Sequence, residues 1–459
     1  MALKSISLRG FRNLEPTSVD FAVGSNYLFG LNGAGKTNLL EAIHYLAIGR
    51  SFRRCPDAEM LGFGKDVLAV SGTDESGDTA EIRFDGREKR ILRNNIPVEK
   101  LSEYFGWLPV VVLLLEDIEL VKGAPGIRRN FLDVAIAKSE GGVKPRAKSQ
   151  EPKAKTEDGA ESYHKDTKTQ SGGQAKSEAR SQKLEATGEE QGYIGLMGRY
   201  RRAVGQYNRL LERGTRDEGR GTGDEVAAWE EELVLSGVPV YEARLAKVGG
   251  LLENAARHYE RLAGHGAVFS YRSSVASEGT RGSGHDPKSQ GGFGSCPLEL
   301  ADAFRQRLAA TRERACYLGH AVVGPHRDDI RISRGDRELR KFGSVGEQRL
   351  AGIALRLAEA DMILSAGRQR PVFLLDEVAS ELDVQRSRMV LAMVAERGQM
   401  VYAAARRIRG SGVRGFEGSG SEDSVHDRSA SQNPGTPEPQ NPLLGKEFHV
   451  EAGKVSEVS

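Results

Sequence analysis

Over the first 138 residues the apolar positions recur mainly at spacings of two, the period of a strand with one face buried. Ile6 and Leu8 alternate with polar neighbours, and residues 21–29 carry a strand-like stretch into a glycine-rich turn. Residues 67–70, 79–84 and 89–92 read as short sheet strands. The unbroken apolar run at 110–115 has the character of a strand buried on both faces. From Asn38 the period changes to that of a helix, with Leu39, Leu40, Ile43 and Leu46 on one side. Helical spacing returns at Ile194, Met197, Tyr200, Val204, Tyr207, Leu210 and Leu211, then over 226–262, and again at Leu300, Phe304, Leu308 and Ala315. Residues 448–455 predict a closing strand pair that turns at Ala452-Gly453. Strands and helices in this order predict an α/β fold.

Polar stretches divide the chain. Residues 139–190 are Lys, Glu, Gln, Ser, Gly and Ala, with Val143, Tyr163 and Leu184 as their large apolar side chains. Such a segment buries too little surface to offset its ordering entropy, so disorder is expected there. Residues 214–224 and 273–295 are shorter polar loops, and 410–441 is a second low-complexity linker. The expected division is 1–138 as one half of a head and 139–190 as an insert. A mainly helical lobe over 191–320 follows, then the second half of the head over 321–409, the linker at 410–441 and closing strands over 442–459.

Composition adds exclusions. The 459 residues are 38% hydrophobic and 28% charged, with a net charge of only +2, so any nucleic-acid surface has to be a local patch. Cys55, Cys296 and Cys316 are scattered, which argues against a disulfide framework or a cysteine metal site and for a reducing compartment. The opening residues read as a strand, not a signal peptide, and no apolar run approaches the roughly 20 residues that span a bilayer. A cytoplasmic protein without a membrane partner is expected.

The chemistry begins at Gly30-Leu31-Asn32-Gly33-Ala34-Gly35-Lys36-Thr37, a complete G-x-x-x-x-G-K-T phosphate loop between a strand and a helix. Its glycines let backbone N–H groups turn inward around phosphates. Lys36 is expected to reach the β- and γ-phosphates of ATP, and Thr37 to ligate Mg²⁺. Far downstream, Val372-Phe373-Leu374-Leu375 ends in Asp376-Glu377, a Walker B strand that delivers Asp376 to Mg²⁺ and Glu377 to the attacking water. Lys36, Asp376 and Glu377 are thus the expected catalytic residues.

Between these halves, Gly343-Ser344-Val345-Gly346-Glu347-Gln348-Arg349 opens an apolar helix, and Ser380-Glu381-Leu382-Asp383 follows the Walker B strand. Phosphate loop, long insertion, Ser-x-Gly turn, Walker B and S-x-L-D, in that order, belong to ABC-type ATPase heads. In that class Ser344 and Gly346 of one protomer cap the γ-phosphate held by the other, with Asp383 beside them, and an isologous two-fold dimer follows. Standing alone, Ser344 would be read first as a helix cap; the order of the motifs turns the reading toward the signature. The inserted helices lack the sustained heptads of long coiled-coil arms.

The residues then resemble the RecF family. Leu8-Arg9-Gly10-Phe11-Arg12-Asn13-Leu14 is similar to its opening strand, and Gly49-Arg50-Ser51-Phe52-Arg53 continues the likeness past the phosphate loop. Glu116-Asp117-Ile118, Gly123-Ala124-Pro125, Arg128-Arg129-Asn130-Phe131-Leu132-Asp133, the helix from Tyr200 to Leu211, Trp229-Glu230 with Leu233, and Gly324-Pro325-His326-Arg327-Asp328-Asp329 extend it over nearly all the chain outside the polar segments. This chain has Leu115 where the family usually has Pro, Asp376-Glu377 for a frequent Asp-Asp, and Val345 and Glu347 where the signature usually has Gln. After the last strand of the head, Ala403-Ala404-Ala405 takes the place of a polar switch residue.

The resemblance implies an ATP- and Mg²⁺-dependent homodimer that holds duplex or gapped DNA and hydrolyses ATP slowly. It further implies help in RecA loading at single-strand gaps, with RecR and RecO in the same pathway, and in SOS induction. Candidate DNA contacts are Arg53, Arg54, Arg199, Arg201, Arg202 and Arg209, with Arg213, Arg128 and Arg129 behind them and Tyr200 and Tyr207 interleaved on one helical face. A solvated basic face is the equal alternative for that helix, and Arg128 or Arg129 pairing with Asp133 is an alternative for those two. His326 and Arg327 either sense nucleotide or brace the hinge between head and lobe, with Asp328 and Asp329 in ion pairs. Two other functions stay open: a scaffold of the same fold that binds nucleotide without switching, and another ABC-class ATPase.

Overall fold

The computed structural model describes residues 2–99, 104, 106–140, 192–216, 223–275, 297–378, 382–405 and 445–458. The polar insert expected at 139–190, apart from Ser139 and Glu140, which end a helix instead, lies outside the described residues, as do most of the loops expected at 214–224 and 273–295, the linker at 410–441, and Ser380 and Glu381.

Two six-stranded sheets form the head. The first is antiparallel, in the order β2 (Thr17–Asp20), β1 (Leu3–Arg9), β4 (Leu68–Asp74), β5 (Thr79–Phe84), β6 (Lys89–Arg93), β7 (Ile96–Pro97). β4 alternates strictly between buried and half-buried positions, as its period-two pattern requires. The second sheet is parallel at its centre and runs β15 (Lys454–Val458), β14 (Gly445–Glu451), β3 (Ser25–Phe29), β13 (Gln399–Ala404), β12 (Val372–Asp376), β8 (Val110–Leu113). Every residue of β8 is buried, and so are the first four of β12 and the first five of β13, so both faces are covered. The apolar run that opens at Val110 leaves the strand after Leu113. Leu115–Ile118 turns instead into a 3₁₀ helix, because the Asp117 carboxylate accepts a hydrogen bond from the Leu114 N–H (2.8 Å).

The helices α1 (Lys36–Ile48), α2 (Pro125–Glu140), α3 (Tyr193–Arg216), α4 (Gly223–Ala263), α5 (Pro297–Leu318), α6 (Val345–Ser365) and α7 (Val384–Arg397) complete the core. α3, α4 and α5 pack together as the lobe, while α4 also lies along α6 and ties the lobe to the head. The lobe is not purely helical. β9 (Val268–Arg272) pairs with β10 (Asp329–Arg334), and β10 with β11 (Arg337–Glu338), in a third antiparallel sheet. That sheet joins residues from both sides of the expected boundary at 320. Among the described residues no helix is long and apolar enough to cross a membrane.

Candidate functional site

The phosphate loop leaves the C-terminal end of β3 and enters α1. Gly30 lies so close to β14 that a Cβ would meet the Val450 carbonyl oxygen at 2.0 Å. Gly35 has φ +116° and would drive a Cβ against Leu14, so two of the loop's glycines are fixed by close approach and backbone sign. The Lys36 ammonium is buried and donates to the carbonyls of Gly30 (2.8 Å) and Leu31 (3.1 Å). A phosphate entering the loop would therefore take over a charged donor already held at the loop's centre.

The Thr37 hydroxyl donates to Asp376 Oδ2 at 2.8 Å, joining groups 339 positions apart. Parallel pairing of β12 with β13, and of β13 with β3, brings them together. Asp376 has its pKa raised, first by burial and then by the charges of Glu377 and Glu116; the Thr37 bond and Arg53 oppose this. A hydroxyl and a carboxylate, hard oxygen donors in a site with surplus negative charge, suit Mg²⁺. Among the described residues no group of three or more His, Cys, Asp or Glu side chains could hold a metal ion. A cation here would complete its shell with phosphate oxygens and water. Glu377 follows directly in the left-handed region (φ 51°), with its N–H bonded to the Ala403 carbonyl (3.1 Å). Non-glycine residues hold that conformation at a cost, commonly at functional sites.

Three supports of the loop were not read from the sequence. Asn13 donates from Nδ2 to the Gly33 carbonyl (3.2 Å) and accepts from the Asn38 amide (2.7 Å). The Gly453 N–H, in the β14–β15 turn, donates to the Ala34 carbonyl (2.9 Å). Glu41, fully buried on α1, binds Arg12, Ser51 and Arg53. Asn13 and Gly453 act across long sequence separations, where no local pattern reports a contact.

Ser344 caps α6. Its hydroxyl accepts from the Glu347 N–H (3.2 Å), and Glu347 Oε2 accepts in return from the Ser344 N–H (2.8 Å). Glu347 also pairs with Arg334 and lies 3.6 Å from His265. Ser344, Val345 and Gly346 are exposed, and none of Ser344's hydrogen bonds reaches the phosphate loop of its own chain. Asp383 is exposed and caps α7 by accepting from the Arg386 N–H (2.9 Å).

The proposed DNA residues scatter. Arg53 bonds Glu41 and Asn38 (2.9 Å each) in the wall of the nucleotide site, and Arg54 lies beside it at φ 59°. Arg202, Arg209 and Arg213 face solvent on α3, Arg199 is half-buried, and Arg201 lies 3.5 Å from Asp133. Tyr200 and Tyr207 do not share that face. At about 100° per residue they point into the core, where Tyr200 bonds His326 (2.6 Å) and Tyr207 bonds Glu230 (3.2 Å). Nor do Arg128 and Arg129 pair with Asp133. Arg128 grips Asp329 (2.7 and 3.0 Å) and Arg129 donates to the Asp328 carbonyl, while Asp133 is held by Arg244 and Tyr193. Arg327 donates to the Ala321 carbonyl, so neither it nor His326 approaches the phosphate loop through a bond.

Comparison with known proteins decides the family. The chain is 30% identical over 406 residues to the DNA replication and repair protein RecF of Geobacillus kaustophilus (strain HTA426), covering 87% of this chain and 91% of that one. The chain belongs to the RecF family. RecF of Geotalea daltonii is 27% identical over 422 residues, 91% of this chain and 96% of that relative. A family profile described as an AAA domain matches residues 5–191. A solved structure of the recombination mediator protein RecF with ATPrS superposes with a TM-score of 0.71 at 22% identity, covering 100% of this chain and 98% of that one. As a RecF-family member the chain is an ABC-type ATPase of DNA replication and repair, with the expected α/β head and inserted lobe.

Proposed function

We propose that this chain is a switch in recombinational repair: it binds ATP·Mg²⁺, dimerises head to head and holds duplex or gapped DNA while dimeric. The Thr37–Asp376 contact carries the reading, because it completes a nucleotide site from the two ends of the chain. Lys36 would hold the phosphates and Thr37 and Asp376 would hold Mg²⁺, while Glu377 takes the proton of the attacking water as the bond to the γ-phosphorus forms and the bridging P–O bond breaks. Mg²⁺, when bound, neutralises charge that develops between the β- and γ-phosphates. The exposed turn of Ser344 and Gly346 at the start of α6 suits capping the γ-phosphate of a second copy. Hydrolysis would remove the ligand that bridges the halves and release the dimer.

DNA would be held by backbone and shape, with steep salt dependence, through exposed cations such as Arg202 and Arg209. By family membership the expected partners are RecR and RecO, with loading of RecA at gaps, SOS induction and a cytoplasmic location as consequences. Sedimentation in ATP·Mg²⁺ or ADP·Mg²⁺, with and without a gapped duplex and at two salt concentrations, tests the reading. A dimer formed only in ATP that retains DNA in a salt-sensitive way supports it. A monomer indifferent to both ligands overturns it and favours the scaffold that has lost switching, for which the alanines at 403–405 are the motive.

A further inference from the structure

Three sequence blocks that the nucleotide site leaves unused converge on one place. Arg129 to Asp133 of α2, Tyr200 and Arg201 of α3, and His326 surround a cavity of about 360 Å³ between head and lobe. Arg244 of α4 reaches its floor. Asn130 and Arg201, which also line the cavity, are exposed.

Much of the surrounding charge is already matched. Arg128 holds Asp329, and Arg244 bonds both Asp133 and Asp328. Tyr193, Tyr241 and Tyr271 occupy further lone pairs of Asp133 and Asp328. Two cations at the cavity are not matched in this way. Arg129 bonds the Asp328 main-chain carbonyl rather than a carboxylate, and Arg201 touches only the outer oxygen of Asp133, at 3.5 Å and largely in solvent. Arg128, Arg129, Arg201, Arg244 and Arg327 stand against Asp133, Asp328 and Asp329, a surplus of two positive charges. Burial lowers the Arg129 pKa first; Arg244 and Arg327 add to this, while Asp329 and Asp328 oppose it. His326 is neutral: Tyr200 bonds its Nδ1, Nε2 faces the Ala321 carbonyl, and burial holds its pKa down to about 4.

We propose that this cavity is a second oxyanion site, which takes a phosphate monoester dianion between Arg129 and Arg201. Two guanidinium groups from different elements match the charge and the forked hydrogen bonding of such a group. The volume exceeds what phosphate alone needs and admits the residue that carries it. The source is either a free phosphate compound or the terminal phosphate of a DNA strand. Bound there, the group bridges α2 of the head and α3 of the lobe.

The test keeps the phosphate loop filled with saturating ADP·Mg²⁺. The full chain is melted in inorganic phosphate and in chloride of equal ionic strength. In parallel, its affinity is measured for a duplex whose recessed 5′ end carries phosphate or hydroxyl. A free phosphate ligand predicts a higher melting temperature in phosphate. A DNA terminus predicts tighter binding of the phosphorylated end, on the order of tenfold. Either gain should vanish in Arg129→Gln and, as an exposed substitution that spares the fold, in Arg201→Gln. No gain in either arm, or a gain that survives both substitutions, overturns the site. Loss of ATP-dependent dimerisation with the phosphate effect intact would instead sink the switch reading and leave this pocket standing.

Discussion

The Thr37 hydroxyl donates a 2.8 Å hydrogen bond to Asp376, a carboxylate whose pKa is raised by burial. These two proposed Mg²⁺ ligands thus hold each other in place, beside the negative charges of Glu377 and Glu116. Asp376→Asn should leave the nucleotide-free melting temperature unchanged or slightly raised and should abolish the further rise that ATP·Mg²⁺ gives the unsubstituted protein. A nucleotide-induced rise as large as before would remove Asp376 from the metal role.

Lys36→Met is expected to abolish ATP binding, as read by fluorescence of a labelled ATP analogue. Glu377→Gln should retain ATP and hold the dimer longer, because it removes the proposed acceptor of the water's proton. Unchanged phosphate release in Glu377→Gln would exclude that role.

Ser344 and Glu347 cap α6 reciprocally, so a signature Glu keeps the cap that a Gln would also provide. Ser344→Arg places bulk and charge on an exposed turn, and is expected to block dimerisation in sedimentation while monomers still bind nucleotide. An intact ATP-bound dimer in that variant would argue against a composite site.

Glu41→Ala removes a buried carboxylate from Arg12 and Arg53 and strands two cations against α1. Loss of about 3 kcal/mol in urea unfolding is expected. Arg53→Gln, which removes a half-exposed partner, should cost less than about 1 kcal/mol.

Acid should loosen the head–lobe junction. The folded protein holds His326 neutral, with its pKa pushed from 6.5 to about 4 by burial first and by Arg327, Arg129 and Arg244 next. Unfolded chains take up the proton near pH 6.5, so the contribution is complete above that value and declines as pH falls toward 4. Buried Asp328, whose pKa is raised, acts in the opposite sense at lower pH. The difference between variants is therefore the useful quantity. At about pH 5 the unsubstituted protein should have lost about 2 kcal/mol relative to His326→Gln. Equal losses would place the titration elsewhere.

What the sequence made legible was local. Gly30 to Thr37 form a complete motif within one loop, and the strand before Asp376 announces itself by four consecutive apolar residues. The supports of that loop act from elsewhere, and no periodicity reports that Asn13 meets Gly33 or that Gly453 meets Ala34. Charge pairing failed for a similar reason. Asp133 is the nearest carboxylate to Arg128 along the helix, yet Arg244 lies 111 positions away and takes it, leaving Arg128 to Asp329. Tyr200 and Tyr207 sit among arginines in sequence, but a helix turns neighbours to opposite sides, and these two rings fill the lobe core. β9 was hidden because it is a five-residue strand behind a 41-residue helix.

The β14–β15 hairpin has a consequence for synthesis. Val450 walls the phosphate loop at Gly30, and Gly453 ties down Ala34, yet both are translated long after the loop itself. A ribosome that has made the loop, the Walker B strand and β13 has still not made β14, the neighbour on the other side of β3. Chains that stop before this hairpin would thus carry every nucleotide motif and hold ATP poorly, so nucleotide binding would await the synthesis of β14 and β15.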